Sequence, residues 1–231
     1  MSKKQVVLLP ALLCTPEIFI NQIHALQSRA DFHTPDTAKR ADIASLAKDI
    51  LDGAPERFAL AGISMGGYVA FEILRQAPER VTDLILMDTS ALPDAPEKRA
   101  KRAQIVELAK ARGIESVVPA VLQSLLAPQY RDLSQLGRFM TFMAQTIGVQ
   151  GFANQQSVIA SRPDSTDLLG QIDIPTTVVG GVCDEVTPID KMRELAARIP
   201  HARFVPVADS GHLPPLENPA AVTRIFQDAL L

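Results

Sequence analysis

The sequence is poor in cysteine, in aromatic residues and in long apolar runs. Its 231 residues include two cysteines, no tryptophan, two tyrosines and nine phenylalanines. Two cysteines are too few for a disulfide scaffold or a cysteine-rich zinc module. No apolar run approaches the roughly 18 residues of a membrane span, and the run near the N-terminus lacks the length and cleavage site of a secretory signal. We therefore expect a cytoplasmic enzyme that does not act at a membrane.

The chain also has no excess of positive charge. Its formal net charge is −3, which excludes a nucleic-acid binder that works by bulk attraction to phosphate. Apolar residues make up 47% and charged residues 21%, the proportions of an ordinary globular protein. A chain of this length buries a sizeable core without metals or disulfides as staples. We expect one catalytic domain with an insertion, and the sequence leaves the oligomeric state open.

Short apolar runs alternate with segments of helical spacing along most of the chain. The runs that predict strands cover 5–9, 57–63, 81–87, 174–180 and 202–207, with a brief extended stretch at 31–34. The segments that predict helices cover 15–28, with Thr15 as N-cap, 38–51, 65–76, 188–199 and 218–230. Strands separated by helices imply a mainly parallel sheet with both faces covered, and hence an α/β protein.

Residues 91–169 interrupt this alternation, because no buried-strand pattern occurs among them. Helical stretches occur near 97–111, 114–126, 133–147 and 151–161. Prolines stand at the beginning and the end of the segment, as at Pro93 and Pro163. A mostly helical insertion between two sheet strands is typical of a lid. The sequence thus predicts a core domain formed by 1–90 and 170–231 and a helical cap, or lid, formed by 91–169.

The most informative local motif is a serine flanked by glycines. Gly62-Ile-Ser-Met-Gly66 matches G-x-S-x-G directly after a predicted buried strand and directly before an apolar helix. A sharp turn there forces Ser64 into a strained backbone and exposes its hydroxyl above the sheet. The same turn points the Met65 N–H at the site. The alternative interpretation is a glycine-rich turn in which Ser64 only caps the helix.

A serine hydroxyl needs a base to remove its proton, and His212 is the candidate. It lies in Asp209-Ser-Gly-His-Leu-Pro-Pro, after the last predicted strand and before the last helix. The glycine and the prolines restrict the shape of this loop, as a base delivered from a loop requires. The remaining histidines, which lie in a helix or in polar connections, are expected to be solvated: His24, His33 and His201.

The base needs a carboxylate on its other ring nitrogen, and Asp184 is the first candidate. It follows the predicted strand 174–180, at the edge of a parallel sheet where active sites lie. Asp88, at the end of another strand, is a serious alternative, and Glu185 is a further competitor. Asp209 is too near His212 in sequence to be a comfortable partner.

The chain order Ser64, Asp184, His212 is that of the α/β-hydrolase arrangement. The chain resembles the α/β-hydrolase superfamily, in particular its small bacterial esterases and enol-lactone-hydrolase-like members. The segments that carry the resemblance are 7–13, 62–67, 84–89, 175–188 and 210–219. The resemblance implies the α/β-hydrolase fold, a mainly parallel sheet flanked by helices, with a helical lid inserted after the strand that ends near Asp88.

Acyl transfer also requires N–H donors for the negative charge that develops on the carbonyl oxygen. The Met65 N–H is one candidate, and by its position in the family the Leu12 N–H is the other. The family usually has His-Gly in this loop, and here Pro10-Ala11 replaces it. If Pro10 only ends the strand, Leu12 and Leu13 are core residues. Cys14 and Cys183 are expected to be small buried hydrophobes.

The predicted lid supplies apolar and basic side chains. The apolar ones include Leu125, Leu126, Phe139, Met140, Phe142 and Met143. Each alone is expected to pack, but some should face the cleft, which favours a modest apolar acyl or alkyl group. Scarce aromatics favour a pocket lined by leucine, methionine and a few phenylalanines. Arg131, Arg138 and Arg162 are candidates to hold a substrate carboxylate, although each also suits a solvated or structural role.

The sequence thus predicts a serine hydrolase that cleaves a small carboxylic ester or lactone without a metal or organic cofactor. A carbon–carbon bond hydrolase of the same fold is an alternative, since it uses the same residue types. A ligand-binding protein with an inactive site is another, and only the altered Pro10-Ala11 loop favours it. A haloalkane dehalogenase is disfavoured, because Ser64 replaces the aspartate such an enzyme needs.

Overall fold

Six parallel strands form one sheet in the computed structural model, which describes residues 3–132 and 134–231. The strands are β1 Lys4–Leu9, β2 Ala30–His33, β3 Phe58–Ile63, β4 Val81–Met87, β5 Thr176–Gly181 and β6 Arg203–Val207. Their order across the sheet is β2-β1-β3-β4-β5-β6, and each neighbouring pair is parallel. The predicted α/β fold with a mainly parallel sheet is therefore confirmed.

Helices cover both faces of this sheet. They are α1 Ile20–Leu26, α2 Ile43–Gly53, α3 Met65–Gln76, α4 Pro96–Arg112, α5 Val118–Leu125, α6 Ser134–Ser161, α7 Ile189–Ala197, α8 Pro214–Glu217 and α9 Pro219–Leu230. Gly148, with φ 68°, breaks α6 into two helical pieces, 134–147 and 149–161. Because α4, α5 and α6 all lie between β4 and β5, they form a helical insertion, called the insertion below.

Alternation along β1 shows how the sheet is buried. Val7 and Leu9 belong to the apolar cluster that includes α2, α3 and α7, whereas Val6 and Leu8 belong to the cluster that includes α1 and α9. All four side chains are at most 1% exposed. Such continuous apolar runs are expected of parallel strands that are covered on both faces.

Some helix boundaries differ from the sequence predictions. Thr15 makes no side-chain cap, and a 3-10 turn, Pro16–Phe19, precedes α1. Helix α2 begins at Ile43 rather than near 38, because the Asp42 carboxylate accepts a hydrogen bond from the Ser45 N–H at 2.9 Å and caps the helix there. The short helix α8 was not predicted. Residue 133, where a predicted helix begins, lies outside the described residues.

The carboxyl ends of the strands meet along one edge of the sheet, because all the paired strands run in the same direction. The segments that follow β1, β3, β4, β5 and β6 therefore approach one another there, as expected for the active site of an open α/β sheet. Among the helices of the described residues, none has both the length and the apolarity of a bilayer span.

Candidate active site

Ser64 lies in the turn between β3 and α3 with a strained backbone. Its φ and ψ are 52° and −114°, and the residue is half-buried at the sheet edge. The surrounding structure maintains this conformation. The Ser64 N–H donates to the Met87 carbonyl at 2.9 Å, and the Thr89 hydroxyl donates to the Ser64 carbonyl at 2.8 Å.

Glycines flank Ser64 because main chain packs directly on main chain. A Cβ at Gly62 would lie 2.5 Å from the Gly66 carbonyl oxygen, and a Cβ at Gly66 would overlap the Leu9 carbonyl of β1. No side chain fits at either position. The turn geometry predicted from G-x-S-x-G is thus the geometry of the structure.

His212 contacts both of the other residues that the sequence singled out. Its Nε2 lies 2.8 Å from Ser64 Oγ, and its Nδ1 lies 2.7 Å from Asp184 Oδ2. A carboxylate only accepts, so Nδ1 carries the proton and Nε2 is left to accept from the serine hydroxyl. The His212 side chain is 1% exposed. Asp184 is fixed in turn, because its Oδ1 accepts from the N–H groups of Val186 and Thr187 at 2.7 and 3.0 Å.

Asp88, the alternative acid, lies beside Asp184 rather than against the imidazole. One of its carboxyl oxygens accepts the Gly181 N–H at 2.8 Å. Burial raises the pKa of Asp88 well above its usual value, and the charge of the neighbouring Asp184 raises that pKa further. Glu185 is exposed and pairs with Arg131 at 2.8 Å. Of the acidic candidates, only Asp184 hydrogen-bonds to His212 in the described structure.

A buried carboxylate holds the loop that carries His212. Glu217 accepts hydrogen bonds from the N–H groups of the flanking residues Gly211 and Leu213, at 2.9 and 3.0 Å, through one oxygen. Its other oxygen accepts the N–H of Ala127, in the insertion, at 2.7 Å. Burial raises the pKa of Glu217, and these donors oppose the rise. One side chain therefore links the base loop to the insertion.

The insertion also contacts the base loop directly. The His212 N–H donates to the Leu125 carbonyl at 2.8 Å. Gly211 fits closely beneath this segment, because a Cβ there would lie 2.5 Å from the Ala127 nitrogen. The position of the imidazole is thus set jointly by its own loop and by residues 125–127.

The two main-chain N–H groups that the sequence predicts as oxyanion donors belong to Leu12 and Met65. Within residues 3–132 and 134–231, the N–H groups of Leu12 and Met65 donate to no protein acceptor. Met65 is the first residue of α3, where the helix dipole also favours negative charge. In the loop after β1, Leu13 adopts the left-handed conformation, with φ 59°, whereas Ala11 does not.

The arginines that were candidates for a substrate carboxylate are mostly engaged elsewhere. Arg162 is buried, donates to the Asp94 carboxylate at 3.1 Å and to the Leu92 carbonyl at 2.9 Å, and lies 4.2 Å from the centre of the Tyr68 ring. Its role is structural. Arg131 donates to a main-chain carbonyl as well as to its carboxylate partner.

The apolar side chains of the insertion divide by exposure. The cluster that includes α1 and α9 also contains three buried side chains of the insertion, those of Leu126, Met140 and Met143. Two half-buried side chains pack against it, those of Leu125 and Phe139. Phe142 is 53% exposed. Most of these side chains therefore pack, as their helical spacing indicated.

The cysteines and the remaining histidines lie outside the contact network of Ser64 and His212. Cys14 is fully buried, and burial raises its pKa to about 12. Cys183 is half-buried. His24 and His201 are exposed, and the His33 ring contacts Gln5 at 2.7 Å.

Sequence reasoning missed Glu217 and Gln155. Gln155 Oε1 accepts the N–H of Leu13 in the loop after β1. A glutamate five residues after His212 and followed by Asn-Pro was a usable signal, because it ends the helical turn Pro214–Glu217, which folds back on the loop. No local pattern distinguishes Gln155 from an ordinary helical glutamine.

Comparison with known proteins assigns the family. A sequence model described as the Alpha/beta hydrolase family matches residues 6–225, nearly the whole chain. The chain belongs to this alpha/beta hydrolase family. The site of this hydrolase lies where the fold places it, at the carboxyl ends of the strands.

Individual relatives of this hydrolase include enzymes named as esterases. A putative non-heme bromoperoxidase from Mycobacterium tuberculosis is 30% identical over 193 residues, 79% of this chain and 70% of that protein. A pimeloyl-[acyl-carrier protein] methyl ester esterase from Legionella pneumophila is 26% identical over 177 residues, 77% of this chain and 72% of that protein. A thermophilic esterase from Thermogutta terrifontis has a TM-score of 0.90 at 28% identity, with 98% of this chain and 89% of that chain covered.

Proposed function

We propose that this hydrolase is a serine esterase or lactonase that cleaves a small, largely apolar carboxylic ester or lactone through an acyl-enzyme on Ser64. The observation that carries the proposal is the continuous hydrogen-bonded chain from Ser64 Oγ through His212 to Asp184, at 2.8 and 2.7 Å. Two unpaired N–H groups, of Leu12 and Met65, lie in the adjoining turns. Together they supply nucleophile, base, orienting acid and anion donors.

The acylation step follows from these contacts. His212 Nε2 takes the Ser64 proton while Ser64 Oγ forms a bond to the carbonyl carbon. The carbonyl π electrons move to its oxygen, which the Leu12 and Met65 N–H groups stabilise. Asp184 holds the ring and stabilises the imidazolium. When the carbon–oxygen bond to the leaving group breaks, His212 returns the proton to the departing alkoxide.

Deacylation reverses the roles of the same groups. Water gives a proton to His212 Nε2 and adds to the acyl carbon, and collapse of the tetrahedral intermediate releases the acid and restores the Ser64 hydroxyl. Each oxyanion donor is worth roughly 3–4 kcal/mol of barrier in serine hydrolases. That contribution requires donors aimed in advance, which is why the shape of the Leu12 loop matters.

The apolar substrate class rests on the surroundings of the site and on the relatives. The insertion supplies half-buried apolar side chains, among them Leu125, whose carbonyl contacts the base loop, and Phe139 of α6. One relative is named as a pimeloyl-[acyl-carrier protein] methyl ester esterase. We further propose that 1–90 and 170–231 form the core domain and that 91–169 form a cap that selects the substrate.

Covalent labelling tests the nucleophile. A fluorophosphonate should modify Ser64 alone, as located by mass spectrometry, and Ser64→Ala should lose labelling and ester turnover. Ser45→Ala, at an exposed serine, is the matched control and should behave as wild type. An adduct elsewhere, or full turnover by Ser64→Ala, would disprove the mechanism.

A substrate panel tests the bond type. Initial rates across p-nitrophenyl esters, lactones and a vinylogous diketone should be highest for an ester or lactone of modest acyl length. Preferred cleavage of the diketone would instead identify a carbon–carbon bond hydrolase. Binding of esters without turnover, unchanged in Ser64→Ala, would identify a ligand-binding protein.

A further inference from the structure

The loop after β1 contains a strained residue in a tight turn. Leu13 has φ 59°, in the left-handed region that residues with a Cβ adopt only at a cost. Leu13 is neither glycine nor asparagine, which tolerate this region best. Leu13 is the third residue of a turn in which the Cys14 N–H donates to the Ala11 carbonyl at 3.1 Å, and contacts from elsewhere in the fold hold this turn in place.

Those contacts come from the insertion. Gln155, on the helical piece 149–161, is 0% exposed, and its Oε1 accepts the Leu13 N–H at 3.0 Å. The amide is oriented by Thr37, whose hydroxyl oxygen accepts a hydrogen bond from Gln155 Nε2 at 3.4 Å. On the same helix, the Asn154 side chain donates to the Ala38 carbonyl at 2.8 Å and fixes the helix against this segment.

The side chain of Leu13 is held by the same element. It is 1% exposed and belongs to an apolar cluster of the insertion that includes Ile114, Val117 and Phe152. The insertion therefore binds Leu13 through both its main chain and its side chain. Neither contact involves the core sheet.

From this arrangement we infer that Gln155 is a positioning residue that sets the direction of the Leu12 N–H, the second oxyanion donor; this role rests on the proposed function. Because Gln155 occupies the Leu13 N–H, Leu13 is not itself an anion donor. The bond fixes the peptide plane between Leu12 and Leu13, and the hydrogen bond from the Cys14 N–H to the Ala11 carbonyl fixes the next plane, so that the two together direct the preceding Leu12 N–H.

Isosteric substitution tests this role. Gln155→Met keeps the length of the side chain but removes the acceptor, whereas Gln155→Glu keeps an acceptor for the Leu13 N–H. Gln156→Met is the matched control, because Gln156 is the next residue on the helix and similarly buried, at 5% exposure, but accepts from Arg102 instead. Thermal unfolding of each variant establishes that it is folded.

The kinetic constants of the variants distinguish a positioning role of Gln155 from a general role in helix packing. Gln155→Met should lower kcat roughly 10- to 100-fold with little change in KM, since displacing an oxyanion donor affects the transition state and not the ground state. Affinity for a trifluoromethyl ketone, whose adduct carries an oxyanion, should fall by the same factor. Gln155→Glu should retain most activity, and Gln156→Met all of it.

The outcomes are distinguishable. Wild-type turnover with unchanged kcat and ketone affinity in Gln155→Met would overturn the role of Gln155 and leave the proposed function intact. So would equal losses in Gln155→Met and Gln156→Met, because they would show a general effect of the helix. Absence of turnover and Ser64 labelling in the wild type would overturn the proposed function, and the role of Gln155 with it.

Discussion

Replacing Glu217 with glutamine should displace the base without removing any group that touches substrate. The Glu217 carboxylate accepts N–H groups on both of its oxygens, from Gly211 and Leu213 on one and from Ala127 on the other. A glutamine that keeps its oxygen toward the first pair must turn its –NH2 toward the Ala127 N–H. Two donors would then face each other across the present 2.7 Å contact.

The magnitude follows from that one lost contact. A hydrogen bond to a charged group contributes about 1.5–3 kcal/mol, and an unsatisfied buried N–H costs a similar amount. Burial raises the pKa of Glu217, because a charged carboxylate is costly to bury. Removing this charge therefore offsets part of the lost stability. We expect Glu217→Gln to lower the free energy of unfolding by about 2 kcal/mol, or Tm by roughly 4–8 °C in a chain of this size.

The effect on activity should exceed the effect on stability. Segment 125–127 supplies the Leu125 carbonyl that holds the His212 main chain, so pushing Ala127 away moves the imidazole relative to Ser64. A misplacement of about 1 Å costs on the order of 100-fold in rate. We expect kcat for a p-nitrophenyl ester to fall roughly 10- to 100-fold, with KM nearly constant.

Glu185→Gln is the control for the Glu217 variant, because Glu185 is exposed and lies beside the same site. Glu185→Gln removes the same charge without breaking the hydrogen bonds of Glu217, and both kcat and Tm should stay near wild type. If Glu217→Gln keeps the wild-type kcat while losing stability, the hydrogen bonds of Glu217 do not position His212. If both variants lose activity equally, the effect is one of net charge.

Further predictions concern buried groups around the site. Asp88→Asn cannot ionise; because burial raises the pKa of Asp88 in the fold, wild-type stability should fall as pH rises from the unfolded pKa through the folded one. The slope is at most about 1.4 kcal/mol per pH unit, and urea titrations across pH should show it reduced in Asp88→Asn. Gly66→Ala should lower Tm and abolish turnover, because its Cβ would overlap the main chain of β1; a wild-type melting curve would refute this packing. Iodoacetamide should modify Cys183 and spare Cys14, whose pKa burial raises to about 12, and mass spectrometry after short exposure at mildly alkaline pH would reveal the reverse order if it occurred.

The sequence was sufficient to predict where Ser64, Asp184 and His212 would meet. His212 lies 148 positions from Ser64, yet each of the three residues lies within five positions of the carboxyl end of a strand of the same sheet. Parallel strands bring their carboxyl ends together, so local strand patterns carried this long-range information. The catalytic roles of these residues remain proposals for the labelling experiment to test.

The contacts between the insertion and the loop after β1 could not be predicted from local sequence patterns. The left-handed conformation of Leu13 has no sequence signal, because leucine does not favour it. The pairing of Gln155 with this loop joins residues 142 positions apart through helices whose packing angles the sequence does not specify. The start of α2 was missed for a local reason: the Asp42 cap competes with apolar spacing that extends further back.

The insertion is part of the active-site framework, and this limits how it can move. Its residues Leu125 and Ala127 hold the base loop, and Gln155 holds the loop that carries Leu12. A rigid-body movement of the whole insertion would break these hydrogen bonds together, and each break would leave a buried donor or acceptor unpaired. Any opening compatible with an intact site must therefore leave segment 125–127 and the helical piece 149–161 in place. Helix α4 makes neither of these contacts, but its Arg102 donates to Gln156 on the helical piece 149–161 at 2.9 Å, so that movement of α4 also breaks a hydrogen bond to the fixed part.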